Sequence, residues 1–156
     1  MATFTRTRLD TADVPHPVSA VWDLLLDPDA IARLTPLVSQ ITVDDQGRWI
    51  WSLQRVPLPG RRLDLTMTEE MSFTPQTRIE FTHTPLEDGV RAGADGFYGL
   101  ESIDSGTRLT IELTVTARLP IPGIARPAVE AAMQQVLTQM GNRFAANMLR
   151  ELDGTR

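Results

Sequence analysis

The chain contains no cysteine, and all 15 of its cationic side chains are arginine, with no lysine among 156 residues. The first absence excludes a disulfide framework, a thiolate nucleophile, an iron–sulfur cluster and a cysteine-held zinc. The second excludes a Schiff base and a phosphate-cradling lysine of the P-loop kind. Histidine is scarce too, with His16 and His83 the only two. No HExxH spacing occurs and no GxGxxG segment, so neither a metal nor a cofactor is expected. The net charge is −5 and the arginines are scattered among 20 acidic residues, which excludes the clustered cationic surface that nucleic acid requires. No apolar run approaches the roughly 20 residues that span a bilayer, and the opening Met1-Ala2-Thr3-Phe4-Thr5-Arg6 lacks the apolar core of a signal peptide. A soluble, cytoplasmic protein is expected.

What is present is ordinary globular composition, 42% hydrophobic and 22% charged, at a length that suits one domain over residues 1–156. Phe4 to Val14 alternate and are rich in threonine, as a surface strand would be, until Pro15 and Pro17 end the run. Val18, Val21, Trp22, Leu25 and Leu26 follow helical spacing, and Asp27-Pro28-Asp29 stops that helix and caps a second short one through Arg33. Core packing explains the Val21, Trp22 and Leu25 stripe.

Beyond Pro36 the period falls to two for some eighty residues. Strands are expected near 38–44, 48–56, 62–74, 77–84, 95–104 and 107–119, joined as an antiparallel meander with a longer polar segment from Pro85 to Gly93. Turn residues cluster at Asp44-Asp45-Gln46-Gly47, Pro57-Leu58-Pro59-Gly60, Thr74-Pro75-Gln76 and Asp104-Ser105-Gly106. After Pro120-Ile121-Pro122-Gly123 a long helix runs from Arg126 to Leu152, with Val129, Met133, Val136, Leu137, Met140, Phe144 and Met148 on one stripe. The reading is therefore α+β: a curved sheet of about seven strands covered by a long C-terminal helix, with two short helices closing one end.

Parity along the strands selects the inward side chains. Leu63, Leu65, Met67, Met71 and Phe73 share a face whose one polar member is Glu69, where an unpaired carboxylate costs several kcal/mol or neutralises itself. Matching apolar faces across the turns pairs Glu69 with His83 on one side and Trp49 on the other, a polar row in an apolar pocket. Cross-strand partners have Cβ atoms about 5 Å apart, close enough for a carboxylate to bond an imidazole. Such a pair either satisfies itself or serves a ligand. Trp51 shares the inward face with Trp49, Phe81 with His83, and Arg55 has the same parity near the sheet end. On the sixth strand a two-residue turn puts Tyr98, Leu100 and Ser102 inside and a three-residue turn puts Phe97, Glu101 and Ile103 there; we favour Tyr98. Met67, Met71, Met133 and Met140 would give a soft lining. Gly141 in mid-helix marks either a bend or a tight contact.

The order of elements, with Val14-Pro15-His16-Pro17-Val18-Ser19-Ala20-Val21-Trp22-Asp23 and the Gly106-Thr107-Arg108-Leu109 hairpin, resembles the START-like (SRPBCC) superfamily over nearly the whole chain. That group includes polyketide cyclases/dehydrases, hydrophobic ligand carriers and ubiquinone-binding proteins. The resemblance implies a helix-grip fold with a cavity between sheet and helix, and binding or transport of a small apolar or aromatic molecule (lipid, polyketide or isoprenoid-like). The expected lining is Trp49, Trp51, Arg55, Met67, Met71, Phe81, Tyr98, Met133, Met140 and Phe144. One alternative is a metal-free cyclase/dehydratase using Glu69 and His83 as acid and base; another is a protein-interaction module.

Overall fold

A computed structural model describes residues 2–86 and 91–154. Seven strands form one antiparallel sheet: β1 (Ala2–Val14), β2 (Val38–Val43), β3 (Trp49–Leu58), β4 (Arg61–Thr74), β5 (Arg78–His83), β6 (Arg91–Ile103) and β7 (Gly106–Leu119). Between β1 and β2 lie the short helices α1 (Val18–Leu25) and α2 (Pro28–Leu34), and α3 (Arg126–Gly154) ends the chain. The order in the sheet is β1-β7-β6-β5-β4-β3-β2, so β2 to β7 run as a meander and β1 returns along β7. This is the helix-grip arrangement, the sheet's apolar face closed by α3.

The local devices follow from residue chemistry. The Asp27 carboxylate accepts from the amides of Asp29 at 3.0 Å and Ala30 at 3.3 Å, while Pro28, which has no amide hydrogen to lose, starts α2. Removing this cap as Asp27→Ala is expected to lower the melting temperature by about 2–4 °C, the equivalent of about 1 kcal/mol in a chain of this size; an unchanged melting curve would show that the end of α2 is held from elsewhere. In the β2–β3 turn Asp44 accepts from the amides of Gln46 and Arg48, and these bonds hold its carboxyl below the usual carboxylate range. The helix α3 is tied along its length: Arg126 donates to the Thr3 carbonyl, Asn147 to that of Leu34, His16 meets Asp153 at 2.7 Å and Arg33 pairs with Glu151.

Two expected details are corrected. β6 begins at Arg91 rather than near 95, because Ala92-Gly93-Ala94 carries no bulky alternation to mark a strand, although its backbone pairs with β7 from Arg118 to Val115. Residues 87–90 of the expected polar segment lie outside the described residues. On β3 a bulge sets Gln54 and Arg55 against the single residue Asp64, and Arg55 takes a left-handed φ of 57° with its amide donating to the Asp64 carboxylate. Parity therefore shifts, and Val56 rather than Arg55 follows Leu53 into the core.

Candidate ligand cavity

The inward side chains form two groups. One gathers Val21, Trp22 and Leu25 of α1, Ile31 of α2 and Phe144 and Met148 of α3. The other gathers Phe4, Ala92, Ala94, Ala117, Val129 and Met133. Trp51, Met71 and Tyr98 touch both, and the space where the groups meet is a cavity of about 400 Å³. That volume lies within the usual range for small-molecule sites.

The wall is built strand by strand. β3 contributes Trp49, Trp51 and Leu53, β4 Leu65, Met67, Glu69 and Met71, β5 Phe81, and β6 Ala92, Ala94 and Tyr98. Every second residue of β7 from Leu109 to Leu119 follows, and α3 closes the cavity with Met133, Met140, Phe144 and their neighbours. Tyr98 faces inward because the β6–β7 turn has two residues, Ile103 pairing with Gly106; the turn falls one residue earlier than expected, with the same parity. Phe81 and Tyr98 meet at 5.4 Å between ring centroids.

All the expected lining residues except Arg55 belong to this wall. Arg55 is exposed, turned out by the bulge. The β7 and small β6 residues were not anticipated, yet the odd-numbered apolar alternation of β7 was there to read.

Glu69 stands in the expected register, its Cα opposite Trp49 on one side and His83 on the other. It is 2% exposed, its Oε2 has no hydrogen-bond partner among the described residues, and burial, reinforced by the nearby Asp95 carboxylate, pushes its carboxyl up to about 8. It is thus mainly protonated at neutral pH. Burial and the neighbouring Glu69 also raise the Tyr98 hydroxyl well above its ordinary range, so it stays neutral. The Trp51 indole nitrogen is likewise buried with no partner among the described residues.

His83 does not join this row as a side chain. The β5–β6 ladder ends at Phe81 and Gly96; beyond it the His83 amide donates to the Asp95 carboxylate at 2.8 Å. The ring packs against Gly93, Nδ1 lies 2.7 Å from the Thr84 carbonyl and Nε2 3.7 Å from Asp95. Gly93 and Asp95 alternate with the wall residues Ala92 and Ala94, so the imidazole has crossed to the other face of β6. His83 is absent from the cavity wall. The reason is steric: glycine at 93 leaves the space that a Cβ would fill 2.3 Å from the ring.

At one edge of the cavity Arg8 of β1 reaches α3. Its guanidinium pairs with Asp10, lies 3.4 Å from the Asn142 side-chain oxygen, and sits where a Cβ on residue 141 would come within 3.3 Å. Of the two readings of Gly141, the tight contact is the one observed. Among the described residues no group of histidine, aspartate and glutamate could hold a metal ion, and no helix is long and apolar enough to cross a membrane.

Comparison with known proteins agrees with this architecture. The sequence model of the family described as polyketide cyclase/dehydrase and lipid transport matches residues 1–148. No curated protein matches in sequence. Among solved structures, the Zhui aromatase/cyclase from Streptomyces sp. R1128 superposes with a TM-score of 0.71 at 18% identity, over 96% of this chain and 94% of that one. One di-domain aromatase/cyclase, StfQ from the steffimycin biosynthetic pathway, gives 0.70 at 15% identity, over 97% of this chain and 51% of that one. A START superfamily protein from Mycobacterium smegmatis gives 0.62 at 13% identity, over 99% of each chain.

Proposed function

Because the chain belongs to the polyketide cyclase/dehydrase and lipid transport family, within the START-like superfamily, we propose that it binds a small, largely apolar molecule in the cavity between sheet and α3. The observation that carries this is the cavity itself, about 400 Å³ of space walled by tryptophan, methionine, leucine and alanine side chains. Packed interiors leave few voids larger than a water molecule, and here the space is more than ten times the roughly 30 Å³ a water occupies. Five methionines on the wall, Met67, Met71, Met133, Met140 and Met148, can shift to fit ligands of different outline.

The test is native mass spectrometry of the purified protein with extraction of its cargo, repeated on Leu113→Trp. Leu113 is half-buried on the wall, and an indole there fills the space a ligand would use. Wild type is expected to carry or take up an apolar molecule, and the variant to lose at least about tenfold in affinity, or 1.4 kcal/mol. Equal occupancy in both would place the ligand elsewhere and overturn the proposal.

A second reading, cyclase or dehydratase chemistry, draws on one observation. A carboxyl held at about 8 is a proton donor near neutral pH, as aldol closure and water loss require. Glu69 would act there as the acid. His83, across β6 and bonded to Thr84, is not placed to serve as its base.

A further inference from the structure

Two buried polar groups on the cavity wall lack partners among the described residues: the indole N–H of Trp51 and Oε2 of Glu69. Unpaired buried polar atoms are uncommon and costly, about 1–3 kcal/mol each, so two on one wall call for an explanation. Their placement supplies it. Trp51 pairs with Met67, and Glu69 follows Met67 by two residues on β4, so the two are diagonal neighbours on the same face. Diagonal residues lie about 7–8 Å apart, within the span of one oxygen-bearing group between long side chains.

We infer that Trp51 and Glu69 form a clamp for an uncharged ligand oxygen, a hydroxyl or carbonyl on an apolar frame, and that the cavity rejects the corresponding carboxylate. The inference rests on the cavity being a ligand site and names the class of ligand. The indole donates and cannot accept. The Glu69 carboxyl, when protonated, both donates and accepts, so a hydroxyl or a carbonyl can complete the set. A carboxylate meets the opposite situation. Around Glu69 the charged and titratable groups are Asp95 and Tyr98 on β6 and His83 on β5, with the two tryptophans on β3 and no titratable side chain among the wall residues of α3. The one cation among the described wall residues, Arg8, lies on β1 and is paired with Asp10. An anion buried beside Glu69 would thus face its carboxyl, with the Asp95 carboxylate behind β6 and no unpaired cation among the described wall residues.

Three probes of one shape test this: naphthalene, 1-naphthol and 1-naphthoate, titrated calorimetrically at pH 7 into wild type, Trp51→Phe and Glu69→Leu. Wild type is expected to bind the naphthol roughly tenfold more tightly than naphthalene, the equivalent of two modest hydrogen bonds, and at least about tenfold more tightly than the naphthoate. In each variant the naphthol should fall to within about twofold to threefold of naphthalene, the two being compared within each variant because Trp51 and Glu69 both line the cavity and set its size. Naphthalene binding without a preference for the naphthol, a naphthoate that binds as well as the naphthol, or a preference that survives both substitutions would overturn the clamp and leave the cavity reading standing. If none of the three binds wild type, both fall together.

Discussion

Replacing Glu69 by glutamine is expected to make the protein more stable, by about 3 kcal/mol at pH 7. In the unfolded chain the Glu69 carboxyl titrates near its ordinary 4.5, and in the folded protein burial and Asp95 push it up to about 8. Between those values the native state holds a proton that the unfolded state has released, so stability falls as pH rises. The contribution is fully retained below pH 4.5, declines through the window and levels off above pH 8. A rise of about 3.5 pH units corresponds to roughly 5 kcal/mol at the plateau and about 3 kcal/mol at pH 7.

Glutamine keeps the shape and one carbonyl oxygen but never ionises, so it avoids this loss. The two proteins should have similar stability at pH 4 and diverge as pH rises, with the variant melting about 6–12 °C higher at pH 7. Groups remote from the site behave alike in both, so the difference between their curves reports residue 69 together with Asp95 and Tyr98, the neighbours coupled to it. Urea or thermal unfolding at several pH values between 4 and 9 measures it. Parallel curves would mean that Glu69 finds water or a partner in solution and that its burial is not as described. A stabilising substitution at a wall residue also has a functional meaning: the native protein carries an energetic cost at the position where a ligand's hydrogen bonds would relieve it.

Much of this architecture is legible in the residues, and the reasons are physical. The polar row was readable because β4 alternates cleanly, so that a single carboxylate on the apolar face of Leu65, Met67 and Met71 stands out, because the tight β4–β5 turn transmits register to His83, and because matching apolar faces sets Trp49 opposite Glu69 despite the bulge that separates it from the β3–β4 turn. Register, however, fixes Cα positions and leaves side-chain direction open. His83 lies opposite Glu69 in the ladder yet turns to the other face of β6, because Gly93 and Asp95 offer it space and a partner. Neither could be seen as a neighbour while the Ala92-Gly93-Ala94 segment read as loop. Arg55 went astray for a related reason. A bulge adds one residue to β3 and inverts parity beyond it, and nothing in the run Leu53-Gln54-Arg55-Val56 marks the extra residue in advance, since the left-handed position is held by arginine rather than by glycine or asparagine. The cavity is the other feature that pattern alone withholds. Periodicity says which side chains face inward, but whether they meet or leave 400 Å³ between them depends on sheet curvature and the path of α3.

At Gly96 the backbones of β6 and β7 leave no room for a side chain, and Gly96→Ala is expected to cost about 3–5 kcal/mol, enough to threaten the fold. Gly96 pairs with Phe81 of β5 and Leu113 of β7, both on the cavity wall. A Cβ there would lie 1.9 Å from the Glu112 carbonyl oxygen and 3.1 Å from the Phe81 ring, and φ is +158°. The first contact is with backbone that is locked in the β6–β7 ladder, so no rotamer change relieves it; the strands would have to separate. Glycine inside a strand marks such a close backbone approach or a corner where a sheet bends. Gly99, three residues along the same strand, is the control: a Cβ there meets nothing nearer than 3.5 Å, so Gly99→Ala should change stability by less than about 1 kcal/mol. The two alanine variants therefore separate the loss of glycine's freedom, which they share, from the steric conflict and the positive φ, which are peculiar to position 96. Chemical denaturation of both measures the difference, and 1-naphthol titration of whatever folded protein remains asks whether the wall is distorted along with the sheet. Should Gly96→Ala unfold at the same denaturant concentration as Gly99→Ala, β6 and β7 are less closely apposed at Glu112 than a 1.9 Å approach requires.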